Sequence, residues 1–178
     1  MQQNSTRLLA VLVSLGALGL AGCGCSHQPD RHPVVIKLEG FEDRPAIDVH
    51  IIARNAAESP RWENYSMSAY WRPGDLTREN SSDDRYEMHF GADKPPTQAF
   101  SPKSDPKAWQ RLWAKWEGEH ATKLFILAFL PGPLEDRPGS LDPRRRVLPL
   151  DRCRWNAKEQ TIRCVLRADS IVVSTPPK

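Results

Sequence analysis

The chain has 178 residues, with 25 Lys and Arg against 22 Asp and Glu and a formal net charge of +3. That balance is too even for a nucleic-acid binder, whose basic residues must outnumber acidic ones along a phosphate track, and the length suits one domain able to bury a core. The 16 prolines all lie beyond the N-terminal apolar run and form no long tract, which argues for short elements joined by many turns in a mainly β domain.

Arg7 precedes an apolar run at residues 8–20, which ends in Leu20, Ala21, Gly22 and Cys23. The run falls short of the roughly 18 to 20 residues needed to cross a bilayer, and its basic start and small-residue end read as a secretory signal. The Leu20-Ala21-Gly22-Cys23 quartet resembles the lipobox of bacterial lipoproteins. The resemblance implies removal of residues 1–22, diacylglycerol on the Cys23 thiol, acylation of the new amino terminus, and anchorage in the cell envelope. An ordinary cleaved signal with a nearby Cys is the alternative. Gly24 stands where many inner-membrane lipoproteins carry Asp, so the resemblance favours the outer membrane with the domain facing the periplasm. Two or three acyl chains, at about 0.8 kcal/mol per buried CH₂, hold such a protein without a second membrane segment.

Residues 23–33 read as the lipidated N-terminus and a polar tether, reaching roughly 35 Å when extended. Cys25 within it is either a free thiol near the membrane or a second acylation site. Cys25, His27 and His32 are ligand-type residues, but their spacing fits no zinc pattern, so neither a metal nor a cofactor is expected.

Residues 34–175 are expected to form a single β-sandwich of about eight or nine short strands with one amphipathic helix. Strands are expected at residues 34–38 and 46–53. In the second, Ile47, Val49 and Ile51 face one way and Asp48, His50 and Ile52 the other, with His50 read as solvated. Residues 59–74 hold Trp62, Tyr65, Met67, Tyr70 and Trp71. Ser59-Pro60 can start a short helix there, and the rings either plug one end of the sandwich or form a binding surface. Residues 75–85 read as a polar loop, followed by strands at 86–90 and 97–100.

The strongest helix signal is at residues 106–118: Asp105 as cap, Pro106 in the first turn, Gly118 at the end, and Trp109, Leu112, Trp113 and Trp116 on one stripe. The stripe covers a sheet edge or one end of the core, or engages a partner or the bilayer interface. Residues 124–130 are continuously apolar and fit a central strand buried on both faces. Residues 131–146 form a Pro- and Gly-rich loop, too long for a simple turn and so a candidate functional loop.

Its end and the stretch that follows are basic, with Arg144, Arg145, Arg146, Arg152 and Arg154 and with Asp151 the one acidic residue among them. These are either a solvated face with some guanidinium groups paired to Asp136, Asp142 or Asp151, or a binding site for an acidic partner, lipopolysaccharide phosphate or anionic cell-wall polymer. Strands at 147–150 and 171–174 flank a hairpin of residues 150–155 and 161–166, whose register sets Cys153 opposite Cys164. Export permits a disulfide there, and two buried thiols are the alternative.

No nucleophile elbow, HExxH helix, phosphate-binding glycine loop or CxxC pair occurs. Asp83, Asp84, Glu87 and His89, or Glu117, Glu119 and His120, are polar clusters that a loop or helix end accounts for, so no catalytic residue is assigned. The sequence therefore reads as a lipid-anchored, non-catalytic binding or assembly module of the envelope, with the membrane and a protein as partners. One alternative is a cell-wall enzyme or ligand carrier. Another rests on layout: a lipobox, a sandwich of short strands and a helix between strands are similar to the outer-membrane lipoprotein of type VI secretion membrane complexes.

Overall fold

A computed structural model describes residues 29–41, 46–155, 160–175 and 177. The lipobox with Cys23, the thiol of Cys25 and His27 therefore lie outside the described residues. Eight strands form two four-stranded sheets, ordered β4-β1-β7-β8 and β3-β2-β5-β6. The strands are β1 (Val34–Leu38), β2 (Ile47–Arg54), β3 (Arg85–Phe90), β4 (Thr97–Phe100), β5 (Lys123–Ala128), β6 (Arg145–Pro149), β7 (Ile162–Leu166) and β8 (Ile171–Val173). All neighbours are antiparallel except β1 and β7.

Alternation along the strands builds the sandwich. Val34, Ile36, Ile162, Cys164 and Leu166 of the first sheet share one core with Ile47, Val49, Ile51, Leu124, Ile126 and Leu148 of the second. The fold is the mainly β sandwich that the composition and periodicity indicated. Helix α4 (Pro106–Gly118) joins this core through Trp109, Leu112, Trp113 and Trp116, all buried. Asp105 accepts a hydrogen bond from the Ala108 N–H at 3.0 Å, the expected cap. The helix ends at Gly118, where expected, but the left-handed residue beyond it is His120, at φ 56°, and the Ala121 N–H donates to Trp116 O at 2.9 Å. The Trp stripe is thus core, and Trp116 Nε1 donates to Asp84 O at 2.8 Å.

The second sheet is covered on both faces. Ile52 of β2 and Phe125 and Leu127 of β5 point away from the main core and pack with Trp62, Met67, Tyr70 and Trp71. Those rings come from α1 (Ser59–Asn64) and α2 (Met67–Tyr70), two short helices split at Tyr65, whose ψ of 137° is extended. They cover a sheet face rather than plug an end. This outer layer buries His50, expected to be solvated, to 5% exposure. Residues 75–85 are likewise not an open loop: Asp75 caps α3 (Leu76–Asn80), accepting from Arg78 N–H at 2.8 Å, and a 3-10 turn follows at Ser82–Asp84.

The hairpin expected across residues 150–166 does not form. Strand β7 has β1 on one side and β8 on the other, and Cys164 lies opposite Ile36 and Val173. Asp151 accepts from the Cys153 N–H at 2.9 Å and turns the chain into a 3-10 turn at Arg152–Arg154, which ends the extended backbone. Cys164 carries a free, buried thiol, so the Cys153–Cys164 bond is absent. Burial raises that thiol to about 12, the behaviour of a core residue.

The segment read as a tether is docked from its C-terminal half onward. Pro29 bridges antiparallel to Asp151, the Asp30 N–H donates to Leu150 O at 2.9 Å, and His32 is fully buried against Trp155 with ring centroids 5.0 Å apart. Nδ1 of His32 lies 2.9 Å from Gln160 O and Nε2 3.3 Å from Leu150 O, so this histidine pins the entering chain. Among the described residues no cluster of metal-ligating side chains occurs.

Candidate interaction surface

The arginines divide into an inner and an outer set. Arg145 is fully buried and spends its guanidinium on backbone: Nε donates to Gly139 O (2.9 Å), Nη1 to Trp62 O (2.9 Å) and Tyr65 O (2.8 Å), and Nη2 to Arg137 O (2.5 Å). Desolvation holds its pKa below the ordinary arginine value. It ties the loop of residues 131–146 to the end of α1 from inside. Arg144, 6% exposed, donates to the fully buried Asp142 at 3.0 and 2.9 Å, to Asp136 at 2.6 Å and to Ser68 Oγ at 3.0 Å. Asp136 also accepts from Ser66 Oγ at 2.5 Å and the Ser68 N–H at 2.9 Å, so one ion-pair network fastens the loop to α2. Arg146 donates to Ser140 O, Asp142 O and Arg145 O. These three bind the protein to itself. Arg152, 65% exposed and 3.7 Å from Asp30, and Arg154, also exposed, form the outward-facing remainder.

The polar clusters are placed in the same way. Asp84 pairs with Arg54 at 3.2 Å and with Lys115, Glu117 chelates Arg31 through two contacts of 2.6 Å, and exposed His89 meets Asp48 at 2.7 Å. The most perturbed pair is His50 and Tyr70, 2.8 Å apart through Nδ1 and the hydroxyl. Burial first, then Arg85, Arg78 and His89, lowers His50 to about 3, and burial raises Tyr70 to about 12. Neutral His50 accepts the Tyr70 proton on Nδ1 and turns its Nε2–H toward Glu87, 3.7 Å away. Neither group exchanges a proton near neutral pH, so the pair is a structural bond rather than an acid–base couple.

A cleft of about 310 Å³ lies between α2 and the chain leaving β5. Its walls include Met67, Trp71, Phe129, Leu134 and the exposed Arg72. The apolar run at 124–130 outlasts its strand: β5 ends at Ala128, and Phe129 stands 50% exposed with its ring 5.6 Å from that of Trp71. Trp71 is buried, and its indole N–H has no hydrogen-bond acceptor among the described residues. An apolar wall with one guanidinium at its edge suits a segment with an apolar side chain beside a carboxylate. The large apolar side chains of Leu76 and Leu141 are also exposed, at 69% and 71%. Sequence reading missed this cleft, because Phe129 belongs to an unbroken apolar run and only the strand's early end exposes it.

No family model matches this chain, and no curated protein does. Among solved structures it is similar to Lip of Serratia marcescens, described as a membrane-bound component of the type VI secretion system, with TM-score 0.44 and 12% identity over 82% of this chain and 96% of that one. It is also similar to the type VI secretion lipoprotein TssJ1 of Pseudomonas aeruginosa, with TM-score 0.44 and 12% identity over 84% of this chain and 99% of that one.

Proposed function

We propose that the chain is a lipid-anchored protein of the cell envelope that works as a binding or assembly module, held in the outer membrane through Cys23 and facing the periplasm. The docking of the entering segment carries this reading. Pro29, six positions after Cys23, already pairs with Asp151, so the chain between them can span at most about 22 Å, and the sandwich sits close to its membrane rather than on a long leash. A module so placed presents the cleft at Trp71 and Phe129 to an envelope protein.

The more specific form of the reading is the outer-membrane lipoprotein of a type VI secretion membrane complex. It is supported by the layout on which that similarity was drawn, a lipobox followed by two sheets of short strands with the one long helix, α4, between β4 and β5. In-cell cross-linking of the tagged full chain, followed by mass spectrometry, tests both levels. Capture of an inner-membrane secretion protein, lost in Phe129→Glu, supports the specific form. Capture of a different envelope protein, with the same dependence on Phe129, supports the module alone. Recovery of cell-wall fragments only, with no protein, counts against both.

A further inference from the structure

The cleft at Trp71 and Phe129 belongs to a longer track. A second hollow, of about 300 Å³, has Tyr65, Pro73 and Leu76 in its wall and shares Arg72 with the cleft. A third, of about 410 Å³, has Leu141 and Pro143 in its wall and shares Pro133 and Leu134 with the cleft. Leu76, Phe129 and Leu141, the exposed large apolar side chains among the described residues, therefore all fall on one track. Such a concentration marks a contact surface, which scattered surface leucines do not. Its walls are held in advance. Arg144, through Asp142, Asp136 and Ser68, and Arg145, through the carbonyls of Trp62 and Tyr65, fix the loop of residues 131–146 against α1 and α2, so a ligand meets a track already formed.

Charge selects what fits. Arg72, shared by two of the hollows, is exposed and pairs with no carboxylate among the described residues. The other charged groups along the track are engaged: Arg144 with Asp142 and Asp136, Arg137 with Glu135 at 3.3 Å, and the Asp75 carboxylate with the Tyr65 hydroxyl and the Arg78 N–H. The track thus offers apolar contact around one uncompensated positive charge. Its place in the fold favours a protein over the bilayer as occupant. The entering chain meets the sandwich at the start of β5, where the Asp30 N–H donates to Leu150 O and the Leu150 N–H to Thr122 O, whereas Phe129 follows the end of β5. The length of that strand sets the two about 20 Å apart. Resting on the module reading above, we propose that the track binds an extended segment of an envelope protein in which an Asp or Glu paired with Arg72 is flanked by large apolar residues, one filling the hollow at Leu76 and others those at Phe129 and Leu141.

The test replaces Leu76, Phe129 or Leu141, one at a time, with the photo-cross-linking residue p-benzoylphenylalanine in the full chain, in the cells that make it. All three side chains are exposed, so the replacements leave the core intact. Intact cells are irradiated and the linked peptides sequenced by tandem mass spectrometry. All three sites should link to one continuous stretch of one protein, with an Asp or Glu between the residue joined at the Leu76 site and the residue joined at the Phe129 site. Arg72→Glu should lower the yield at each site about fivefold, and Lys at that acidic position of the partner should restore it. Links from the Phe129 site alone, or yields that Arg72→Glu leaves unchanged, overturn the extended segment and leave the module reading standing. Links to lipid at these sites overturn the segment in favour of a bilayer contact. Links to no protein at any site overturn the segment and the module reading together.

Discussion

Acid should weaken this fold through His50, and the size of the effect follows from its burial. The unfolded chain takes up a proton on this imidazole near 6.5, whereas the folded protein, with the ring 5% exposed behind Tyr70 and Trp71, resists protonation until about 3. Below 6.5 the unfolded state therefore binds more protons, so stability falls with falling pH until about 3. Each unit is worth about 1.4 kcal/mol, so going from pH 7 to about pH 4.5 removes on the order of 2 to 3 kcal/mol, a large part of a domain's usual 5 to 15. Carboxylates titrate over part of the same range, which His50→Asn controls for: it keeps an acceptor for the Tyr70 hydroxyl and cannot take up the proton. Urea unfolding of both proteins at several pH values gives the difference directly. The wild type should lose about 2 to 3 kcal/mol more than the variant between pH 7 and 4.5. A difference that stays constant within about 0.5 kcal/mol would refute the assignment of His50 as a buried neutral bond to Tyr70.

Arg144→Ala leaves Asp142, fully buried, without its counter-charge, and should cost about 3 to 5 kcal/mol in chemical denaturation. Arg152→Ser with Arg154→Ser, both on the surface, should stay within about 0.5 kcal/mol per site of wild type in the same assay. Asp105→Ala removes the cap of α4 and should lower stability by about 1 kcal/mol, readable as a shift in thermal midpoint. Cys164, whose thiol is free and buried in the core, should resist alkylation by N-ethylmaleimide until the protein is unfolded.

What could be read from the chain was local. Ile47, Val49 and Ile51 alternate strictly, and the stripe from Trp109 to Trp116 behind Asp105 repeats at helical spacing, so β2 and α4 stand where those periods put them. Residues 150–166 misled for the opposite reason. The partners of β7 are β1, more than a hundred residues earlier, and β8, and nothing near Cys164 in the sequence announces a parallel pairing with Val34–Leu38. His50 belongs to a polar strand face by alternation, and only a second layer of helices over that face buries it. The arginines show the same limit. A basic run on paper is a set of charges, but the carbonyls of Trp62 and Tyr65 that enclose Arg145 come from a helix some 80 residues away, and they turn a candidate binding residue into internal bracing.

The proposed function depends first on the lipid anchor proposed at Cys23. Intact mass of the full chain purified from bacterial membranes, compared with Cys23→Ser, addresses it most directly. The wild type should have lost residues 1–22 and gained the mass of a thioether-linked diacylglycerol and an N-acyl group, while the variant should carry no lipid and leave the membrane fraction. An unlipidated wild-type chain, or a variant that remains as firmly bound to the membrane, would contradict it.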